Sequence, residues 1–146
     1  MSRPTDRLLW AAGVVMGLAG VVLGVTDTSG PQCGVPGLWK CLPGVIMAGR
    51  ALWIGVGAAI AAMSALRMVS GRRPWATAIA LLAGAIDLAA GGWIAYALIT
   101  GIIPLADPLW VAWPVLVALA ITWFGVGFFA AALSDKVMDR FRQGER

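Results

Sequence analysis

The sequence contains no histidine and only two cysteines among its 146 residues. Histidine is the usual general base near neutral pH and a common ligand of zinc and of haem iron, so most sites of these kinds are excluded. Two thiols are also too few for a four-cysteine metal site. We therefore predict no catalytic residues, no metal and no cofactor.

Charge is scarce as well. Only 12% of the residues are charged and 60% are hydrophobic, with a mean hydropathy of +0.86, whereas a soluble domain carries about 25% charge. The length fits one domain, residues 1–146. The net charge of +4 is typical of basic residues that flank membrane helices, and we expect no nucleic-acid partner.

Long apolar runs are what the sequence does have. Four stretches, at residues 8–25, 45–68, 75–102 and 109–133, are each long enough to cross a hydrocarbon core of about 30 Å as a helix. Lipid offers no hydrogen-bond partners to the backbone, so each stretch must be helical. The sequence predicts an all-α integral membrane four-helix bundle, with a charged tail at 134–146 that continues the fourth helix.

Lysine and arginine indicate the orientation. Nine of the eleven basic residues flank the helices on one side, and loops this short obey the positive-inside rule. Both termini are therefore predicted to be cytoplasmic, in a multi-pass protein of a bacterial plasma membrane. The nine residues are Arg3, Arg7, Arg67, Arg72, Arg73, Lys136, Arg140, Arg142 and Arg146.

The two cysteines, Cys33 and Cys41, lie in the first outer loop. A loop that faces an oxidising compartment favours a structural disulfide between them. Free thiols and a redox pair are the alternatives, although a redox pair usually has the closer C-x-x-C spacing.

Asp87 is the most informative single residue, because it lies near the middle of the third apolar stretch. A carboxylate there is costly unless it faces protein or water. By helical spacing it shares a face with small residues that include Gly84 and Gly91. Asp87 is either a proton or cation site, or a carboxyl group that is protonated or hydrogen-bonded. Arg50, near the outer end of the second helix, either snorkels outward or reaches toward Asp87.

Small residues repeat along the first helix at close-packing spacing, at Gly13, Gly17, Gly20 and Gly24. This pattern predicts either packing within the bundle or docking to another subunit.

The first outer loop resembles the claudin and peripheral-myelin-protein group, whose members have four helices and cytoplasmic termini. The resemblance rests on Gly37-Leu38-Trp39 followed by Cys41, on Leu42-Pro43, and on the arginine-containing stretch 48–52. Two features depart from the family pattern: Cys33 precedes the Gly-Leu-Trp, and the loop is too short for the family's small β-sheet. The resemblance implies a non-enzymatic, contact-forming membrane protein.

These observations favour a non-catalytic accessory or structural subunit that docks laterally in a larger membrane complex, of the respiratory, photosynthetic or transporter kind. Its partners would be the lipid bilayer and other membrane subunits or a second copy. A small transporter or channel that uses Asp87 is the first alternative, and a claudin-like contact protein is the second. A thiol–quinone oxidoreductase is a third, disfavoured by the cysteine spacing.

Overall fold

The computed structural model describes residues 4–26, 43–71, 73–102 and 108–144. These residues form four helices: α1 (Pro4–Thr26), α2 (Pro43–Ser70), α3 (Pro74–Ile99) and α4 (Pro108–Gly144). Each helix begins at a proline, whose fixed φ suits the first helical turn and whose missing N–H leaves no donor unpaired there.

All four helices are long and apolar enough to cross a membrane. Even α1, with 23 residues, spans about 35 Å at 1.5 Å per residue. The prediction of an all-α membrane bundle with four helices is therefore confirmed. As expected, α4 continues through the charged tail as one helix of 37 residues.

The third helix ends earlier than the predicted residue 102. The amide and hydroxyl of Thr100 both donate to the carbonyl oxygen of Tyr96, at 2.9 and 2.8 Å. Gly101 then has a φ of 73°, a left-handed conformation that glycine adopts without steric cost. The apolar run continues beyond this point, and the turn rather than the hydropathy ends the helix.

The helices form an open row in the spatial order α1–α2–α4–α3. The second helix packs against α1 on one side and α4 on the other, and α3 packs mainly against α4. Among the described residues, no Cα atom of α1 lies within 8 Å of one in α3 or α4. Both ends of the row therefore leave most of a helix surface to the surroundings.

The core has two parts along the bundle axis. Near Gly71, α2, α3 and α4 meet through Met63, Ala80 and Phe128. Toward the opposite end, the second cluster contains α2 and α4 residues only, Ala51, Leu116 and Ala120. The third helix thus approaches α2 near Gly71 and diverges from it toward the other end, which opens a wedge between them.

Candidate functional site: an apolar groove with a carboxylate

The wedge between α2 and α3 is a groove of about 470 Å³. All four helices contribute to its wall. The lining includes Val25 from α1, Ala58 from α2, Asp87 from α3, and Trp113 and Phe124 from α4. Asp87 is the one charged side chain among the described residues that line it.

Contacts between α3 and α4 place Asp87 at the deep end of this groove. A Cβ at Gly91 would touch Thr122, and one at Gly125 would touch Leu88. Asp87 therefore lies about two residues beyond the level of Phe124, and Trp113 lies about 20 Å closer than Asp87 to the end of the bundle where α4 begins. Asp87 lies near the middle of α3.

Asp87 is partly buried, and within the described part of the chain it makes no hydrogen bond or ion pair. An ionised carboxylate in an apolar wall is stabilised only by a counter-charge, by hydrogen-bond donors or by water. The described residues supply neither an arginine, an amide nor a hydroxyl partner. The described residues thus give Asp87 no internal hydrogen bond, and this geometry agrees both with a proton or cation site and with a protonated carboxyl group.

Small residues explain why the groove is not filled. A Cβ at Gly55 would collide with the carbonyl oxygen of Ala120 and with the backbone of Phe124, so α2 and α4 approach very closely there. On the other side of α4, a Cβ at Gly84 would lie 2.7 Å from the amide nitrogen of Phe129. Both pairs are fixed by backbone contact, and beside Gly55 the groove is bordered by the short side chains of Ala58 and Ala120.

Arg50 does not bond to Asp87. Its Nε and a terminal guanidinium nitrogen donate to the carbonyl oxygens of Gly24 and Val25, each at 3.1 Å. These carbonyls belong to the last turn of α1, where the helix leaves its acceptors unpaired. A cation at this end also complements the helix dipole. Arg50 thus ties the end of α1 to α2.

The four glycines of α1 all face α2. A Cβ at Gly17 would lie 2.5 Å from the amide nitrogen of Ala61 and 2.5 Å from the carbonyl oxygen of Gly57. Gly13 similarly meets Ser64, Gly20 meets Gly57, and Gly24 meets Ile54. This small-residue face is used within the chain, for the α1–α2 contact.

A polar cluster that sequence reasoning missed lies at the opposite end of the bundle. The buried guanidinium of Arg67 forms an ion pair with Asp135 of α4 and donates to Thr77 Oγ1 of α3 at 3.2 Å and to the Gly71 carbonyl oxygen at 3.1 Å. It therefore links three helices. The sequence signal for this cluster is an arginine at position 67, within an apolar stretch and four residues before Gly71.

Several sequence predictions fall on other parts of the chain. Cys33, Cys41 and the Gly-Leu-Trp of the claudin resemblance lie outside the described residues, so the disulfide stays a prediction. Its arginine-containing stretch 48–52 lies within α2. Within the described residues, no group of three or more acidic, cysteine or histidine side chains could hold a metal ion.

No family model, curated protein or solved structure matches this chain. The interpretation of the groove therefore depends on its own chemistry.

Proposed function

We propose that this chain is a non-catalytic membrane subunit that docks laterally in a larger assembly through the outer face of α3. The proposal is supported by the positions of the glycines, most of which contact a neighbouring helix while a few face outward. Helix association in lipid depends on small residues that allow close backbone contact. Within the apolar segments, most described glycines meet a neighbouring helix, but Gly49 and Gly92 have nothing within 4 Å of a Cβ position.

Gly92 belongs to a stripe of small residues on the outer side of α3. Ala85 and Ala89 are exposed on the same side, at the i, i+4 and i+7 spacing. At 3.6 residues per turn, this stripe lies about 120° around the helix from the face that packs on α4. Its partner in the proposal is a transmembrane helix of another protein subunit.

The orientation that we propose follows from the charges. The end of the bundle that holds Gly71 and the α4 extension is cytoplasmic, because basic residues concentrate there. The groove then opens toward the outer leaflet of the membrane. The host membrane in this proposal is a bacterial plasma membrane, and the host complex is respiratory, photosynthetic or a transporter.

Purification of the chain from its native membrane in mild detergent tests the docking proposal. The wild-type chain should run as a complex with a second subunit, measured by native mass spectrometry. Ala89→Leu should release it, because a bulky side chain at the centre of the stripe holds the partner helix away. Ala19→Leu is the matched control, since Ala19 is exposed on α1 at a similar level of the bundle.

A wild-type chain that runs alone, or a complex lost equally in both variants, would contradict docking through α3. A discrete dimer of this chain would show instead that the face joins two copies.

The groove favours a second candidate function, a small transporter of protons or cations that uses Asp87. Its support is the partly buried carboxyl group without a partner among the described residues. Reconstituted liposomes should then show flux that Asp87→Asn and Asp87→Leu both abolish, since neither side chain exchanges a proton or carries the counter-charge. Unchanged flux in either variant would remove this candidate.

A further inference from the structure

We infer that the groove binds a hydrophobic organic cation, with its positive charge against the Asp87 carboxylate and its apolar body along α2 and α4. The inference gives a ligand class to the transporter candidate and rests on it only for the location of the site. Binding requires neither transport nor lateral docking.

The distribution of charge around Asp87 supports a cationic ligand. The bundle keeps its described intramembrane arginines away from Asp87. Arg50 donates to the carbonyl oxygens of Gly24 and Val25, and Arg67 pairs with Asp135 at the other end of the bundle. Among the described residues no arginine therefore pairs with Asp87, and a cationic ligand supplies a positive charge at this position.

The wall of the groove is unsuited to a divalent metal ion. Calcium takes six to eight oxygen ligands and magnesium nearly ideal octahedral coordination. The described wall offers one carboxyl group, because the helical backbone carbonyls beside it already accept intrahelical bonds. An organic cation needs only one counter-charge and apolar contact. The aromatic ring of Phe124, near the level of Asp87, adds attraction for a quaternary or aromatic cation.

The volume of the groove and its accessibility also suit a hydrophobic organic cation. A volume of about 470 Å³ is within the range of roughly 300–1,000 Å³ that small-molecule pockets have. Trp113, at the mouth, is 57% exposed, so the groove is open to its surroundings. A ligand that partitions into the membrane can therefore reach Asp87 from the bilayer.

Equilibrium dialysis of the purified full chain in mild detergent tests the inference, with tetraphenylphosphonium as the cation. The wild-type chain should bind it, and Asp87→Asn should weaken binding about 10- to 100-fold, because the charge interaction in a low-dielectric site is lost. Asp139→Asn makes the same chemical change on the α4 extension, away from the groove, and should leave the affinity unchanged.

Two further measurements keep the test decisive. Ala58→Phe retains the carboxylate but fills the groove, and it should also abolish binding in a chain whose helical content and elution volume are unchanged. Triphenylphosphine oxide, a neutral compound with a similar apolar body, should bind about tenfold more weakly or less.

Equal binding of the neutral and cationic compounds would overturn the inference, since the groove would then be an apolar site only. So would unchanged affinity in Asp87→Asn. Cation binding without flux in liposomes would support the inference and remove the transporter candidate. The binding inference and the transport hypothesis can therefore fail independently.

Discussion

Replacement of Asp135 by alanine removes the carboxylate that neutralises Arg67. The guanidinium of Arg67 is buried, and it keeps its bonds to Thr77 Oγ1 and the Gly71 carbonyl oxygen. What it loses is its ion pair with Asp135, which connects α2 to α4. The variant therefore leaves the buried guanidinium without the carboxylate that pairs with it on α4.

The loss of stability expected for Asp135→Ala depends on how deeply the ion pair is buried. Breaking a fully buried ion pair costs about 3–5 kcal/mol, and a hydrogen bond to a charged group contributes about 1.5–3 kcal/mol. The side chain of Asp135 is 36% exposed, so water reaches its position and replaces part of the interaction. We therefore expect Asp135→Ala to lower the free energy of unfolding by about 1.5–3 kcal/mol, the lower of these two ranges.

The assay is equilibrium unfolding in mixed micelles, with increasing denaturing detergent and helical content as the signal. Asp139→Ala is the control, because Asp139 lies one turn later on α4 and makes no ion pair among the described residues. Its effect should stay within about 0.5 kcal/mol. A double-mutant cycle with Arg67→Gln should give a coupling energy of about 1.5 kcal/mol or more.

Equal stability of the Asp135 and Asp139 variants would refute the assignment of a structural role to the ion pair. A zero coupling energy would refute it as well, since both single changes would then act through other contacts.

Three other predictions concern packing, the outer loop and topology. Gly17→Ala should destabilise the bundle by about 1–3 kcal/mol, because the new Cβ collides with the α2 backbone. Gly92→Ala should be neutral or stabilising in the isolated chain. Equal effects of the two variants on unfolding in detergent would be inconsistent with the described packing. Replacing Cys33 and Cys41 by serine should leave insertion intact and lower stability by about 2–3 kcal/mol, which thermal melting in detergent measures; unchanged melting would argue against the disulfide. Protease-accessible tags at both termini should be cleaved only from the cytoplasmic side, and cleavage from outside would reverse the orientation.

The helices were predictable from hydropathy because lipid forces any apolar segment of sufficient length to be helical. The end of α3 was not, since Ile99 and Ile102 are equally apolar and the left-handed conformation of Gly101 depends on local geometry. The order of the row was not predictable either. Small residues such as Gly17, Gly55 and Gly84 permit close contact with any helix, so composition does not say which one.

The candidate site was also predictable from the sequence only in part. Asp87 was identified from its charge in an apolar run, which depends on composition alone. The groove around it depends on the divergence of α3 from α2, a tertiary property. Arg50 and Arg67 have the same side chain and similar apolar sequence surroundings, yet one binds carbonyl oxygens of α1 and the other a carboxylate of α4. Those partners lie 25 to 68 residues away in the sequence, and no local pattern connects them.

Cysteine cross-linking in native membranes tests lateral docking most directly. In a chain with both native cysteines replaced by serine, one variant carries Ala89→Cys on the outer stripe of α3. The other carries Val22→Cys on the outer face of α1, where Val22 is 57% exposed at a similar level of the bundle. If α3 docks on a partner, a membrane-permeant bismaleimide links the cysteine at position 89 to one discrete partner and leaves position 22 unlinked. A chain linked at neither position, or equally at both, would contradict docking through α3.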